Sequence, residues 1–117
     1  MMVIPENLYA TLANSSRLRC LLLLQEFGEL CVCELTYAME LSQPHVSRHL
    51  AQLRESGLVI DRRQGQWVFY RLNPELPDWV CQVLAQTAVG AATDHTLQAD
   101  VAALQAMPDR PEAARCA

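Results

Sequence analysis

Two cysteines separated by one residue, Cys31 and Cys33, are the side chains of this chain best suited to chemistry. Cysteine thiolates are soft ligands for thiophilic ions, and the thiolate is also the reactive form of the side chain. The pair opens a short apolar segment that leads through Ser42-Gln43-Pro44 into a second helical pattern ending at Gly57. Thiol ligands therefore stand at the start of a predicted helix-turn-helix, which indicates a chain that senses a thiophilic agent and reports it to DNA.

The composition indicates one globular domain without a membrane segment. The chain has 117 residues, 51% of them hydrophobic, which is enough for a modest core. Residues 1–4 are too few for a signal peptide, and no apolar run reaches the roughly 18 residues of a membrane span. We therefore expect a cytoplasmic protein. In that reducing compartment, its five cysteines are predicted to be thiols rather than disulfides: Cys20, Cys31, Cys33, Cys81 and Cys116.

The distribution of charge favours DNA more than the net charge does. The net charge is −4, and phosphate neutralisation normally dominates nucleic-acid binding. Residues 48–71, however, hold five arginines against two acidic residues, a local balance of +3. All nine cations are arginine, which suits forked contacts to phosphate and guanine but equally fits a bias in genome composition.

The hydrophobic pattern predicts a mainly α fold with a β-hairpin, a dimeric winged helix-turn-helix. Predicted helices cover residues 5–13, 17–27, 31–39, 44–57 (with Ser42 as N-cap), a segment from 78 that Gly90 weakens or breaks, and 94–107. Strands are predicted at 58–61 and 67–72, joined by residues 62–66. The last helix carries a narrow apolar seam that suits a partner helix. Residues 1–107 form the predicted DNA-binding and dimerisation domain, and residues 108–117 a flexible C-terminal tail.

The second helix of the predicted helix-turn-helix carries polar side chains suited to the major groove. Glutamine can read adenine, arginine can read guanine, and serine or histidine can hold phosphate. Two arginines beside the hairpin turn are placed over the minor groove or the DNA backbone. The alternatives without a role in DNA binding are that this helix is an ordinary polar surface helix and that the hairpin tip is simply solvated. The predicted DNA-binding residues are Gln43, His45, Ser47, Arg48, His49, Gln52, Arg62 and Arg63.

Four motifs resemble one known family. They are ELCVCEL at residues 29–35, SQPHVSRHL at 42–50, LRESGL at 53–58 and GQWVFYRL at 65–72. Together they are similar to the arsenical-resistance repressors of the ArsR/SmtB family, over roughly residues 5–90. The resemblance implies a homodimeric winged-helix repressor that releases double-stranded operator DNA on binding a metal or metalloid. It also implies that the first and last helices form the dimer.

The resemblance makes arsenite or antimonite the expected inducer, with no tightly bound cofactor. A trivalent arsenic or antimony ion carries a lone pair and three ligand positions, and it favours thiolates. On an ideal helix, Cys31 and Cys33 would point about 200° apart, so sharing an ion requires a distorted helix start. Thr36 stands where the family pattern has a third cysteine. Cys116 is the candidate third ligand, whereas Cys20 and Cys81 are predicted to be core residues.

Other functions fit the sequence less well. Asp94, His95 and Asp100 suggest the zinc-type site of the last helix, but no second histidine has the required spacing, and we expect capping and surface roles for them. A thiol redox sensor or a zinc/cadmium-sensing repressor remains the alternative. The sequence contains no catalytic triad, paired acids, phosphate loop or H-E-x-x-H motif, so an enzyme is not expected.

Overall fold

The computed structural model describes residues 2–111, and its element order matches the predicted winged helix-turn-helix. Within these residues the chain forms six helices and three strands. They are α1 (Pro5–Leu12), α2 (Ser15–Phe27), β1 (Glu29–Cys31), α3 (Val32–Met39), α4 (Gln43–Glu55), β2 (Val59–Gln64), β3 (Trp67–Leu72), α5 (Asp78–Ala91) and α6 (His95–Gln105). No helix in this described part of the chain has the length and apolar composition that a membrane crossing requires.

Helix α2 is the centre of the core. Asn14 is its N-cap and accepts a hydrogen bond from the backbone N–H of Arg17 at 3.1 Å. Five consecutive residues, 20–24, are buried, as expected for a helix that is apolar on most sides. The helix packs against α1, α3, α4, α5 and α6. It ends at Gly28, whose φ of +89° is a conformation that favours glycine.

The sheet has one strand more than the sequence predicted. Residues 29–31 form β1 and pair antiparallel with β3, so the strand order is β1-β3-β2. A three-residue strand has no period of its own, and only its pairing partner defines it.

Strand β2 also runs to Gln64, and the turn is the two residues Gly65 and Gln66. Gly65 has φ +61° and Gln66 has no positive φ, a pattern typical of a type II′ hairpin turn.

The C-terminal part packs on its own chain. Helix α5 passes through Gly90, and a separate helix α6 begins after the N-cap Asp94. The apolar seam of α6, with Leu104 fully buried, faces α2 and α3. A bidentate ion pair between Arg19 and Asp100 (both contacts 2.8 Å) fastens the helix there. The same chain thus covers Leu104, whereas Leu97 and Val101 of the seam stay half-buried, and contact of this seam with a partner helix stays a prediction.

The first residues of the predicted flexible tail contact the rest of the fold, while the tail itself stays a prediction. Arg110 makes an ion pair with Glu34 at 2.6 Å, and Pro111 is buried. Residues 108–111 thus lie against α3, held by a partner 76 positions earlier in the sequence. Residues 112–117, which include Cys116, lie outside the described residues.

Candidate thiol site and DNA-contact surface

Cys31 is the last residue of β1 and the N-cap of α3, while Cys33 is the second residue of that helix. The backbone of Cys31 is extended (φ −85°, ψ 164°), so the residue lies outside the helix. The 200° separation predicted for a regular helix therefore does not apply, and no distortion of α3 is needed to bring the side chains together. The Cα atoms are 5.4 Å apart and the two sulfurs are joined as a disulfide in this structure, where the sequence predicted two thiols.

A buried carboxylate fixes the backbone at this position. Glu34 has no exposed surface, and its Oε1 accepts a hydrogen bond from the backbone N–H of Cys31 at 2.9 Å. Its Oε2 accepts from Nε of Arg110 at 2.6 Å, and the Arg110 guanidinium lies 5.4 Å from the ring centre of Phe27. A buried charge is stable only when it is paired and hydrogen-bonded. The start of α3 is therefore held by a contact that the sequence did not reveal.

A groove of about 580 Å³ opens beside the two cysteines. Its walls include Tyr37 from α3, Trp67 from β3 and Met107 from the segment after α6, while Gln43 of α4 borders it. Thr36 also lines the groove, and its hydroxyl donates a hydrogen bond to the carbonyl oxygen of Val32 at 2.8 Å. This hydroxyl is already engaged and is a hard oxygen, so it does not replace a third thiolate.

The other cysteines have different surroundings. Cys20 is completely buried, as predicted, and burial raises the pKa of its thiol to about 12. Cys81 is exposed on α5, so its prediction as a core residue is wrong: it points away from the face of α5 that buries Val80 and Leu84. The predicted ligand Cys116 falls beyond the described part of the chain.

Helix α4 presents part of the predicted DNA-reading set to solvent. Ser42 is its N-cap and accepts from the backbone N–H of His45 at 3.4 Å. Gln43 and Arg48 are exposed and Ser47 is half-buried. Arg48 makes no hydrogen bond or ion pair with any residue between 2 and 111. Its guanidinium is therefore free to reach a base or a phosphate.

The two histidines of α4 instead face α2. His45 Nε2 is hydrogen-bonded to the hydroxyl of Ser16 at 2.8 Å, and its ring centre lies 4.7 Å from that of His49. His49 is buried, and its Nδ1 is hydrogen-bonded to Oε1 of Gln52 at 3.1 Å. The same oxygen accepts from Arg17 Nη1 at 3.0 Å. Burial is the main cause of the lowered pKa of His49.

This arrangement corrects the prediction for His49, whose ring is turned into the protein because its position on α4 faces α2. His45 and Gln52 are also engaged with α2, although Gln52 remains exposed. Ser16 and Arg17 were missed by the sequence reasoning. Their place in the first turn of α2, directly after the cap Asn14, gave no sign that α4 packs there.

The two hairpin arginines are neighbours with different partners. Arg62 makes two hydrogen bonds to the carboxylate of Glu29, at 2.9 and 2.6 Å, and lies over the ring of Phe69 at 4.7 Å. Arg63 is exposed and has no ion pair or hydrogen bond within residues 2–111. Successive residues of a strand point to opposite faces, which explains the difference. Arg62 is therefore paired with Glu29 in the absence of DNA, and its predicted contact with DNA stays a prediction.

The residues considered for a zinc-type site have structural roles. Asp94 caps α6 by accepting from the N–H of Leu97 at 3.1 Å, as predicted, and His95 is exposed. Asp100 is buried in its ion pair with Arg19 rather than exposed. Over residues 2–111, no group of three or more His, Cys, Asp or Glu side chains is placed to hold a metal ion.

The sequence profile described as "Bacterial regulatory protein, arsR family" matches residues 14–61. The chain is 52% identical over 108 residues to the arsenic resistance transcriptional regulator ArsR1 of Pseudomonas putida, covering 92% of this chain and 83% of that protein. It is 54% identical over 82 residues to the arsenical resistance operon repressor of Escherichia coli, covering 70% of each. These matched relatives are transcriptional regulators.

Solved structures share the fold. The transcriptional repressor BigR from Xylella fastidiosa superposes with a TM-score of 0.63 at 36% identity, covering 72% of this chain and 82% of that one. The AntR antimony-specific transcriptional repressor superposes with a TM-score of 0.61 at 30% identity, covering 70% and 71%. The arrangement of α3, α4 and the hairpin is thus that of known repressors.

Proposed function

The chain belongs to the arsR family of bacterial regulatory proteins, which confirms the resemblance seen in its motifs, and on this premise we propose that it is a metalloid-responsive transcriptional repressor. It acts in the cytoplasm as a homodimer and binds double-stranded operator DNA through α4 and the β2–β3 hairpin. It releases the operator when trivalent arsenic or antimony binds cysteine thiolates.

One observation carries the proposal: the thiol pair lies at the N-cap of the helix that directly precedes the DNA-reading helix. Helix α3 has eight residues, and only residues 40–42 separate its end from Gln43, where α4 begins. The two helices also pack against each other. A ligand that shifts the start of α3 therefore shifts α4 as well. A coupling of about 1–3 kcal/mol would lower operator affinity roughly 5–150-fold.

We assign Cys31 and Cys33 as two of the three inducer ligands and Cys116 as the third. The assignment of Cys116 is supported by covalent reach. Arg110 is bound to Glu34, three residues from Cys31, and six residues of chain span at most about 20 Å. The segment from Arg110 to Cys116 is therefore long enough for Cys116 of the same chain to serve as the third ligand beside Cys31 and Cys33.

On the DNA side, we assign Gln43, Ser47 and Arg48 to the major groove and Arg63 to the backbone or minor groove. These four keep exposed or half-exposed side chains. His45 and Gln52 are assigned to holding α4 on α2, from where they can still contact phosphate. Base reading by Gln43 and Arg48 would supply the specificity, since phosphate contacts mainly supply register and affinity.

The proposal is tested by titrating operator binding with arsenite after full reduction of the protein. A phosphine reductant is required, because a thiol reductant would compete for arsenic. Release of the operator by arsenite is the expected result, and unchanged DNA binding under full reduction would contradict the proposal. Cys81→Ser is the matched control: Cys81 is a free, exposed cysteine on α5, and its replacement should leave the response intact.

A thiol redox switch is a second candidate, and the disulfide between Cys31 and Cys33 favours it. Two thiols and one hydroperoxide would give the disulfide, an alcohol and water, with the peroxide reduced. The change at the start of α3 would again pass to α4. Release by hydroperoxide without metalloid, reversed by phosphine, would support this candidate; release by arsenite alone would exclude it as the main signal.

A further inference from the structure

We infer that Arg17 is a positioning residue for operator reading: it joins α1 to the DNA-reading helix α4 and thereby sets the spacing of the two half-sites that a dimer binds. Arg17 lies in the first turn of α2, and its guanidinium reaches both of the other helices. This inference rests on the homodimeric repressor function proposed above and adds a determinant of specificity away from the thiol site.

The carboxyl end of α1 is one end of this bridge. Nε of Arg17 donates a hydrogen bond to the carbonyl oxygen of Thr11 at 3.1 Å, and Nη2 donates to that of Ala10 at 3.4 Å. The last carbonyl groups of a helix have no partner inside the helix and form the negative end of its dipole. Helix α1 has no basic residue in its own last turn, so the guanidinium from α2 supplies the missing cap.

The other end of the bridge is Gln52 on α4. Nη1 of Arg17 donates to Oε1 of Gln52 at 3.0 Å. An arginine N–H group can only donate, so the Gln52 amide must present its oxygen there. Nδ1 of His49 lies 3.1 Å from the same oxygen and must therefore carry the proton of that hydrogen bond. Arg17 thus fixes the Gln52 amide and, through it, the orientation of a buried ring on the inner face of α4.

The geometry of the guanidinium makes this bridge rigid. Helices α1 and α4 both pack on α2, and Arg17 contacts each of them from the same planar group. The donors of a guanidinium point in fixed directions, so the three acceptor oxygens are held in one arrangement. A rotation of α1 relative to α4 would break at least one of the three hydrogen bonds.

Helix α1 also has a surface that suits a second copy of the chain. Tyr9 of α1 is 56% exposed and lines a surface groove with Trp79 and Val83 of α5. Val89 of α5 is 66% exposed. Exposed apolar surface on neighbouring helices is typical of a protein contact, and the homodimer provides its occupant. Helix α1 then contacts the partner subunit while α4 contacts DNA, and Arg17 lies between them.

The spacing of the half-sites follows from this placement. Dimeric helix-turn-helix proteins read half-sites about 10 base pairs apart, and each added base pair turns one half-site by about 35° relative to the other. A fixed angle between α4 and the helix at the dimer contact allows one spacing. If the bridge is lost, α4 can tilt and the dimer tolerates other spacings.

The test measures the spacing preference of the full chain, reduced with phosphine and free of arsenic. The probes are the operator that footprinting defines and two duplexes in which one base pair is added or removed between its half-sites. The ratio of Kd values on altered and native spacing cancels every contact that the duplexes share. Arg17→Lys keeps the charge but loses the fork, so it should lower this ratio several-fold. An unchanged ratio would overturn the inference.

Gln52→Ala breaks only the α4 end of the bridge and leaves the cap of α1 in place. It should lower the spacing ratio as Arg17→Lys does, and the double variant should lower it no further, because both changes remove one interaction. A ratio that Gln52→Ala leaves unchanged, or additive losses in the double variant, would contradict the bridge. Thermal unfolding identifies folded variants, and Gln52→Ala carries the test alone if Arg17→Lys does not fold.

Arg63→Ala is the control for loss of a phosphate contact. It should weaken binding to all three duplexes equally, reduce the salt slope of log K by about 1 and leave the spacing ratio unchanged. If Arg17→Ala behaved in the same way, Arg17 would be a phosphate contact and its positioning role would be overturned.

The outcomes also separate this inference from the function on which it rests. If the unchanged protein binds a single half-site as tightly as the operator and shows no spacing preference, the proposed homodimeric operator binding fails. If it prefers the native spacing and both variants keep that preference, the bridge fails and the repressor function stands.

Discussion

The start of α3 and the outer face of α4 carry the two sets of proposed functional side chains, and the fold holds them in opposite ways. At the start of α3, Cys31 is 1% exposed and the neighbouring Glu34 is fully buried between the Cys31 backbone and Arg110. On α4, Arg48 is exposed and has no ion pair or hydrogen bond among the described residues. The first region is prearranged, whereas the second is free until DNA binds.

This difference suggests how a small ligand can control a large interface. The inner face of α4 is held on α2 through His45 and Gln52, so its outer face depends on how the helices pack. Because the thiol site is already arranged, little of the free energy of ligand binding is lost in ordering it. The remaining free energy of binding can change how α4 packs on α2. When α4 shifts, the side chains on its outer face then lose their fit to the major groove of the DNA.

The largest expected effect is on the response of the thiol region. Cys31→Ser removes one ligand, so the roughly 5–150-fold loss of operator affinity that arsenite causes should disappear. Operator binding without arsenite should remain, because the serine can occupy the same extended N-cap position. Electrophoretic retardation with and without arsenite measures both properties.

A Cys31→Ser protein that no longer bound DNA would break the comparison, since the thiol region would then support the fold rather than sense a ligand. Cys81→Ser serves as the matched control for the loss of a cysteine, because Cys81 is exposed and distant in the chain.

The next effect is on the free face of α4. Arg48→Ala should weaken specific operator binding by about 1–3 kcal/mol if its guanidinium reads a base. Arg54→Ala is the matched control on the same helix, because Arg54 is exposed and pairs with Asp61 at 3.1 Å. Its effect should stay within about 0.5 kcal/mol, as for most surface substitutions. Equal losses in the two variants would remove Arg48 from the base-reading set.

Arg62 and Arg63 allow the same contrast to be tested on adjacent residues. Arg63→Ala should weaken binding to all sequences and reduce the salt slope of log K by about 1, as for a lost phosphate contact. Arg62→Ala should leave the salt slope nearly unchanged and lower the Tm instead, because its partner is Glu29. Salt-dependent binding and thermal unfolding of both variants check this. A reversed pattern would show that Arg62 exchanges Glu29 for DNA.

The smallest effect concerns the inner face of α4 and depends on pH. Burial, with His45, Arg17 and Arg48 nearby, keeps the pKa of His49 below its ordinary value of 6.5, although its hydrogen bond to Gln52 opposes the shift. The unfolded chain therefore binds a proton more readily, and stability should fall as the pH drops below about 6.5. Urea unfolding between pH 7.5 and 5.5 measures the loss. His49→Gln should flatten this dependence, and an unchanged slope would assign it to other groups.

The helices and the thiol motif could be predicted because their signals are local. The caps Asn14 and Ser42, the stop at Gly28 and the repeat of apolar residues all act within one or two turns of helix. The order of helices, turn and hairpin follows from those signals. The same local reasoning failed at Cys31, where an ideal helix was assumed one residue too early.

Other features had no local signal. Strand β1 exists because Leu30 lies opposite Tyr70 of β3, and its three residues would not form a strand alone. Exposure of Cys81 and burial of His49 each depend on which side of a helix meets the core. For His49, in contrast, the spacing did carry a signal, because Val46, Leu50 and Leu53 recur at helical intervals and position 49 falls on the same buried stripe.

The sequence by itself thus determined the helices, their caps, the hairpin and the position of two cysteines ahead of the DNA-reading helix. The tertiary structure alone decided which charged residues are engaged: Arg110 holds Glu34 across 76 positions, and Arg62 holds Glu29 across 33, while Arg63 and Arg48 remain free. The physical reason is that spacing along the chain controls helix and strand formation. Ion pairs and side-chain burial depend instead on which distant segments the folded core brings into contact.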